Sequence, residues 1–294
     1  MENLSNNEII LNDAVYKAVL RGYEKETSGR AGQPQIIVGA HGSGKTFLMQ
    51  RLFDTVSSRS GFMPVWIDGR TVFSSKDILH VSANGRCVLF VDDFHYYLQR
   101  TPNEDQYAFR GALSEKDGPI LVASAPVVSP QLMNYGAALF EGFHIHYIKP
   151  LSDEELKGIV GGTDKKNQRA QALMEYMPRT ARAALMVKDI IRDSRTSEDD
   201  LSLLIKRISP LYQKLFDELL PQQQRIMCAL AGESGGLKLS GIREKTGQEA
   251  GKISPYLTQM LASGLVLKDS QSTRGGSYRI ADPLFNLWLP KYTM

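Results

Sequence analysis

The chain has 294 residues, 42% of them hydrophobic and 23% charged, with a net charge of +3. Such a length allows two or three compact units of ordinary globular composition, and no apolar stretch approaches the ~20 residues that a membrane helix needs. The charge is too small to mark a nucleic-acid binder by itself. The opening Met1 to Asn7 is polar and lacks both the basic and the apolar part of a signal peptide. Cys87 and Cys228 each lie in an apolar run, so both read as small core residues and not as a disulfide or metal framework. A cytoplasmic location is expected.

In chain order, residues 8–25 read as a helix, with Ile9, Leu11, Val15, Val19 and Leu20 on one stripe. A Gly-rich connector follows at 27–34. Five apolar, β-branched runs come next, at 35–38, 63–67, 87–91, 120–123 and 143–148. Helical stretches separate them, the alternation of a parallel sheet covered on both faces. After Pro150 the strands stop. Ser152-Asp-Glu-Glu155 is a capping box opening a helical region that lasts to about Ile191. The polar run 192–200 reads as a linker. Helices are expected at 201–219, 222–230, 240–245 and 254–262, then strands at 265–268 and 278–280. The expected units are 1–150, 151–200 and 201–294.

Gly39-Ala40-His41-Gly42-Ser43-Gly44-Lys45-Thr46 fits G-x-x-x-x-G-K-[ST] at every fixed position. It lies directly after the first strand and before a helix beginning at Phe47. Glycines let backbone N–H groups turn inward around phosphate oxygens, and the helix N-terminus adds positive potential. Lys45 is expected to reach the β- and γ-phosphates of a nucleoside triphosphate, and the Thr46 hydroxyl to ligate magnesium. Phe47 completes the binding set.

The third apolar run ends in Asp92-Asp93. A carboxylate at the C-terminal end of a parallel strand suits magnesium, the role assigned to Asp92. Asp93 is either a catalytic carboxylate that polarises water or a loop and helix-cap residue. Ser124 ends a strand expected to lie between the other two, and either senses the γ-phosphate or merely closes the strand. In Met177-Pro178-Arg179-Thr-Ala-Arg182, Arg179 or Arg182 can stabilise phosphate charge, or stand as an ordinary exposed helix arginine.

Together the loop, Val-Asp92-Asp93-Phe-His-Tyr-Tyr-Leu, Lys149-Pro-Leu-Ser-Asp-Glu-Glu and Met-Pro-Arg179 resemble the archaeal-type P-loop ATPase family. That group is AAA+/STAND-like and related to origin-recognition initiators. Gly251-Lys-Ile-Ser-Pro-Tyr-Leu257 and Tyr278-Arg-Ile-Ala-Asp-Pro-Leu-Phe-Asn-Leu-Trp288 extend the likeness into that family's winged helix. The resemblance implies an ASCE/AAA+-like α/β core with a five-stranded parallel sheet, a helical lid and a C-terminal winged helix. It also implies ATP with Mg2+. This chain departs from the family where Asp93 replaces the usual glutamate. It has no arginine from Asn134 to His146 to act on a neighbouring subunit, Arg110 being a weak substitute. Slow hydrolysis is therefore expected.

Residues 222–262 also suggest a helix-turn-helix in their own right, with Gly247 in the turn. The hairpin that follows, with Arg274 at its tip, is the expected wing. Lys252, Ser254, Tyr256, Gln259 and Arg274 are the candidate contacts to double-stranded DNA, in a region where basic residues outnumber acidic ones from Lys206 onward. Ile226, Leu230, Ile253, Leu257, Leu261 and Leu265 are expected core residues, and Trp288 is expected to pack the tail. The leading reading is a nucleotide-dependent switch that engages DNA. Its alternatives are a switch whose winged helix docks protein or its own core, and a nucleotide-binding scaffold that scarcely hydrolyses.

Overall fold

The computed structural model describes residues 12–27, 33–59, 62–80, 87–115, 118–161, 164–193, 199–233, 235–269 and 276–292. The chain divides into two compact units, Met1–Pro150 and Leu151–Met294.

In the first unit, α1 (Asp13–Thr27) precedes β1 (Gln35–Val38), α2 (Lys45–Ser57), β2 (Met63–Asp68) and α3 (Ser75–Leu79). β3 (Cys87–Asp92), α4 (His95–Arg100), α5 (Asn103–Ser114), β4 (Ile120–Ala125), α6 (Pro130–Met133) and β5 (His144–Tyr147) complete it. All strand pairings in this sheet are parallel, in the order β2-β3-β4-β1-β5. Successive side chains alternate between two cores. Ile37, Val88, Phe90 and Val122 pack with Val19 of α1 and Leu48 and Leu52 of α2. Ile36, Leu89, Val91 and Leu121 pack with Tyr97, Phe109 and Leu132 of the opposite layer. Strands buried on both faces read as unbroken apolar runs, which is why these were visible in the sequence. Each fully buried large aliphatic side chain contributes about 1.5–3 kcal/mol.

The expected first helix covers the observed α1, and its Ile9 and Leu11 lie outside the described residues. α2 begins at Lys45, two residues before the expected start, because the last loop residues already have helical geometry.

In the second unit, α7 (Asp153–Val160) and α8 (Asp164–Met174) both pack on α9 (Ala181–Arg192). The capping box at the start of α7 is formed in both directions, Ser152 N donating to Glu155 at 2.8 Å and Glu155 N to Ser152 Oγ at 3.2 Å. α10 (Asp200–Asp217) is followed by α11 (Pro221–Leu230), α12 (Leu239–Thr246) and α13 (Ala250–Ala262). β6 (Val266–Asp269) and β7 (Ser277–Ile280) form an antiparallel hairpin that Leu237 joins through a bridge to Tyr278. Five of the expected linker's residues, 194–198, and the hairpin tip with Arg274 lie outside the described residues.

Several expectations need correction. Cys228 is exposed, not a core residue. Ile226, Met227, Ala229 and Leu230 take the inner face of α11, and position 228 falls on the opposite side of a 3.6-residue turn. α13 starts at Ala250, four residues before the expected Ser254, so Ser254 lies inside the helix and donates to Ala250 O at 2.9 Å. Pro255 lies inside this helix as well. Ile226, Leu230, Ile253 and Leu257 are buried, whereas Leu261 and Leu265 are only half-buried.

The tail forms a further helix, α14 (Pro283–Tyr292), absent from the expected elements. Its signal was present in Asp282-Pro283, a cap followed by proline at the first helical position. Asp282 accepts from Leu284 N at 2.9 Å and from Tyr212 Oη at 2.7 Å, and burial pushes both titrating groups upward. Trp288 is buried against Tyr212 and Phe285, its indole donating to Ser209 Oγ at 2.7 Å.

Candidate functional site

The loop between β1 and α2 turns on two left-handed glycines, Gly42 at φ 77° and Gly44 at φ 100°. A side chain in that region is strained, so glycine is required at both positions. Gly39 is held just as closely: a Cβ there would stand 2.8 Å from Ser43 Oγ and 2.9 Å from Ile148 Cβ. Ala40 is exposed, and His41 lies half-buried at the bend. Lys45 is buried, its ammonium donating to the carbonyls of Gly39 at 2.7 Å and Ala40 at 3.2 Å. Gly44 caps α2 with no side-chain hydrogen bond, so no capping side chain occupies the helix N-terminus. Ser43 Oγ is buried without a hydrogen-bond partner. Thr46 and Phe47 are exposed on the first turn.

β4 lies between β1 and β3, which brings three separated segments together. The Thr46 hydroxyl donates to Asp92 Oδ2 at 2.8 Å. The Ser124 hydroxyl, fully buried, donates to Asp92 Oδ1 and accepts from Asp93 N at 3.0 Å. Asp93 N also donates to Asp92 Oδ1 at 3.2 Å. Asp93 itself has φ 55°, a left-handed conformation unusual outside glycine. Phe94 N donates to Ser124 O at 2.8 Å, pinning the turn to β4.

The residues present fit a magnesium nucleoside triphosphate. Magnesium is held by one or two side-chain oxygens plus phosphates and water rather than by a protein cage. Thr46 and Asp92 supply such a pair, and no group of three or more His, Cys, Asp or Glu able to hold a metal occurs among the described residues. Uncapped helix amides and a buried ammonium are suited to phosphate oxygens.

A further acidic residue, not among the expected site residues, stands at the end of β2, where Asp68 pairs in register with Asp92. Arg70 grips Asp68 through Nε at 2.9 Å and Nη2 at 2.6 Å, and that hydrogen-bonded pair raises the guanidinium pKa further. An acidic residue ending an apolar run, the same signal that marked Asp92, stands at Asp68.

Arg110 donates to the carbonyls of Ala138 at 2.9 Å and Phe140 at 3.3 Å. In the second unit, Arg179 donates to Leu151 O at 2.7 Å and pairs with Asp153, whose carboxyl that guanidinium holds below its usual range. Arg182 is exposed on the first turn of α9. On α13, Lys252, Ser254 and Gln259 are exposed and Tyr256 is half-buried. Gln259 accepts from Gln223 Nε2 at 3.4 Å.

No protein-family model and no curated protein matches the sequence. Solved structures do resemble the fold. The Aeropyrum pernix ORC2 protein, solved in ADPNP–ADP complexes, aligns with a TM-score of 0.62 at 14% identity, over 100% of this chain and 98% of that one. The Aeropyrum pernix ORC1 protein in complex with DNA aligns with a TM-score of 0.55 at 12% identity, over 98% and 94%. A Thermotoga maritima RuvB variant aligns with a TM-score of 0.50 at 18% identity, over 90% and 91%. The five-stranded parallel α/β core has the fold of the AAA+ P-loop NTPases. Among the described residues no helix is long and apolar enough to cross a membrane.

Proposed function

We propose that this chain is a cytoplasmic, slowly hydrolysing P-loop ATPase, a nucleotide-dependent switch that engages double-stranded DNA through a winged helix built from α11–α13 and the β6–β7 hairpin. The observation that carries the nucleotide reading is the hydroxyl–carboxylate pair of Thr46 and Asp92 at 2.8 Å, at the end of a loop whose buried Lys45 ammonium lies on the carbonyls of Gly39 and Ala40. Gly39 to Thr46, with Phe47, bind the triphosphate, and Thr46 and Asp92 hold magnesium. The ion, when bound, neutralises charge on the phosphate oxygens. Asp93 orients water, and Ser124 ties the Asp92 carboxylate to the Asp93 amide. Arg179 or Arg182 answers to the γ-phosphate. For Arg179 this requires exchange of Asp153, a pairing that is weak at an exposed site, and of the Leu151 carbonyl.

The ORC2 and ORC1 likenesses, one solved with nucleotides and one with DNA, support both halves of the reading. One observation favours the alternative in which the C-terminal module docks protein. Ser254 and Gln259, two of the described candidate contacts, are already engaged within the chain.

The test is a calorimetric titration of Mg-ATP into wild type and Lys45→Ala. Binding is expected in the first and lost in the second, and equal affinity refutes the site. Titration with duplex DNA at low and high salt then separates the two readings of the winged helix, since phosphate contacts weaken steeply with salt.

A further inference from the structure

The ends of β2 and β3 meet at backbone contact, and the reason lies in one residue. Gly69 follows Asp68 in a short 3-10 turn, Gly69–Thr71, and is buried. A Cβ on Gly69 would fall 2.5 Å from the carbonyl oxygen of Asp93, 2.6 Å from that of Asp92 and 2.7 Å from the Asp93 carbonyl carbon. All three are main-chain atoms, so no flexible side chain can move aside to relieve the clash. Whatever stood at position 69 besides glycine would push the Asp92-Asp93 turn away.

The turn is fixed from both sides. Asp68 accepts from Arg70 N at 3.0 Å, and the Thr71 hydroxyl donates to Asp68 O at 2.8 Å. Arg100 of α4 donates to Arg70 O at 2.6 Å, its guanidinium lying 4.8 Å from the Tyr96 ring centroid and 5.1 Å from that of Phe73. On the far side, Asp93 N is held by Asp92 Oδ1 and Ser124 Oγ, and Asp93 O accepts from Tyr96 N at 3.1 Å. The left-handed Asp93 is therefore clamped between β4 and the Gly69 turn. Strained backbone persists where its surroundings over-determine it.

We propose that Gly69 is a positioning residue for the Asp92-Asp93 carboxylates, and that Arg100 holds the Gly69 turn in place against them. This rests on the reading of Thr46 and Asp92 as the magnesium site. Gly69 touches no ligand; it acts by letting the neighbouring turn close to the distance at which Asp92 meets Thr46.

The test compares ATP affinity with and without magnesium in the full chain for wild type, Gly69→Ala and Arg100→Ala. In Gly69→Ala the affinity without magnesium is expected to be preserved, while the gain on adding magnesium falls about tenfold, the lower end of the cost of disturbing residues that orient metal ligands. In Arg100→Ala, an exposed position, the same gain is expected to fall by about twofold, as for loss of one surface hydrogen bond. A Gly69→Ala protein that keeps the full magnesium gain overturns the proposal. So does one that loses affinity equally with and without the ion, since that marks a general structural defect. Should Gly69→Ala fail to fold, Arg100→Ala decides alone, and an unchanged gain refutes the inference. Failure of the underlying site shows differently: Lys45→Ala would then bind ATP as wild type does, or wild type would show no magnesium gain.

Discussion

The Thr46 hydroxyl donates to Asp92 Oδ2 at 2.8 Å, joining the end of the phosphate loop to the end of β3 across the intervening β4. If both atoms hold one magnesium, their contributions are coupled. Thr46→Ala and Asp92→Asn should each cost about 1–3 kcal/mol of magnesium-dependent ATP affinity, and the double variant less than the two together. Thr46→Ser, which keeps the hydroxyl, should retain most of the affinity. Titration calorimetry on wild type, the two single variants and the double variant closes the cycle; strict additivity would separate the two residues.

Asp93 trades backbone strain for position. At φ 55° an aspartate costs on the order of 1 kcal/mol relative to glycine. Asp93→Gly is therefore expected to raise the stability of the first unit by up to about 1 kcal/mol while abolishing turnover. Denaturant melts and a phosphate-release assay read the two effects separately. A loss of stability would mean that the Asp93 side chain serves the fold. Asp93→Glu extends the carboxylate by one methylene and should speed the slow turnover.

For the C-terminal module the informative quantity is the salt slope of duplex binding. Lys252 is exposed on α13, and its removal should lower the slope by about 0.9, one phosphate contact. Ser254→Ala should leave affinity unchanged, because that hydroxyl already donates to Ala250 O. Fluorescence anisotropy across a salt series measures both. A slope unchanged by Lys252→Ala places the contact elsewhere.

His146 provides a pH prediction. It is buried, with Nε2 2.6 Å from Gln35 Oε1, so the neutral ring donates there. Burial, and then the neighbouring His144, bring its pKa down from 6.5 to about 4. Between those values the unfolded chain takes up a proton that the folded chain refuses. Stability therefore falls as pH drops from 6.5 towards about 4, and this contribution levels off below. Thermal melts of wild type and His146→Gln over that range should show a shallower acid decline in the variant. Parallel curves would assign the decline to other groups.

Much of this protein was legible one segment at a time. The spacing from Gly39 to Thr46, the apolar runs of the sheet and the Ser152–Glu155 cap each depend on neighbours within a turn or a strand, where covalent geometry dictates the outcome. Arrangements between segments were legible only in outline, in the shared magnesium role of Thr46 and Asp92 and the strand of Ser124 expected between theirs; the contacts themselves were not. Thr46 meets Asp92 because β4 inserts between β1 and β3 in register, and Ser124 reaches Asp92 and Asp93 for the same reason. Cys228 faces outward because helix phase, not local hydrophobicity, decides which side is buried. Arg179 takes Leu151 and Asp153 as partners through a contact made by packed helices. Thus residue types and spacing determined which groups can hold a phosphate. Only the tertiary structure decided which of them meet, because hydrogen-bond partners 30 or more residues apart are chosen by strand order and packing, on which local spacing is silent.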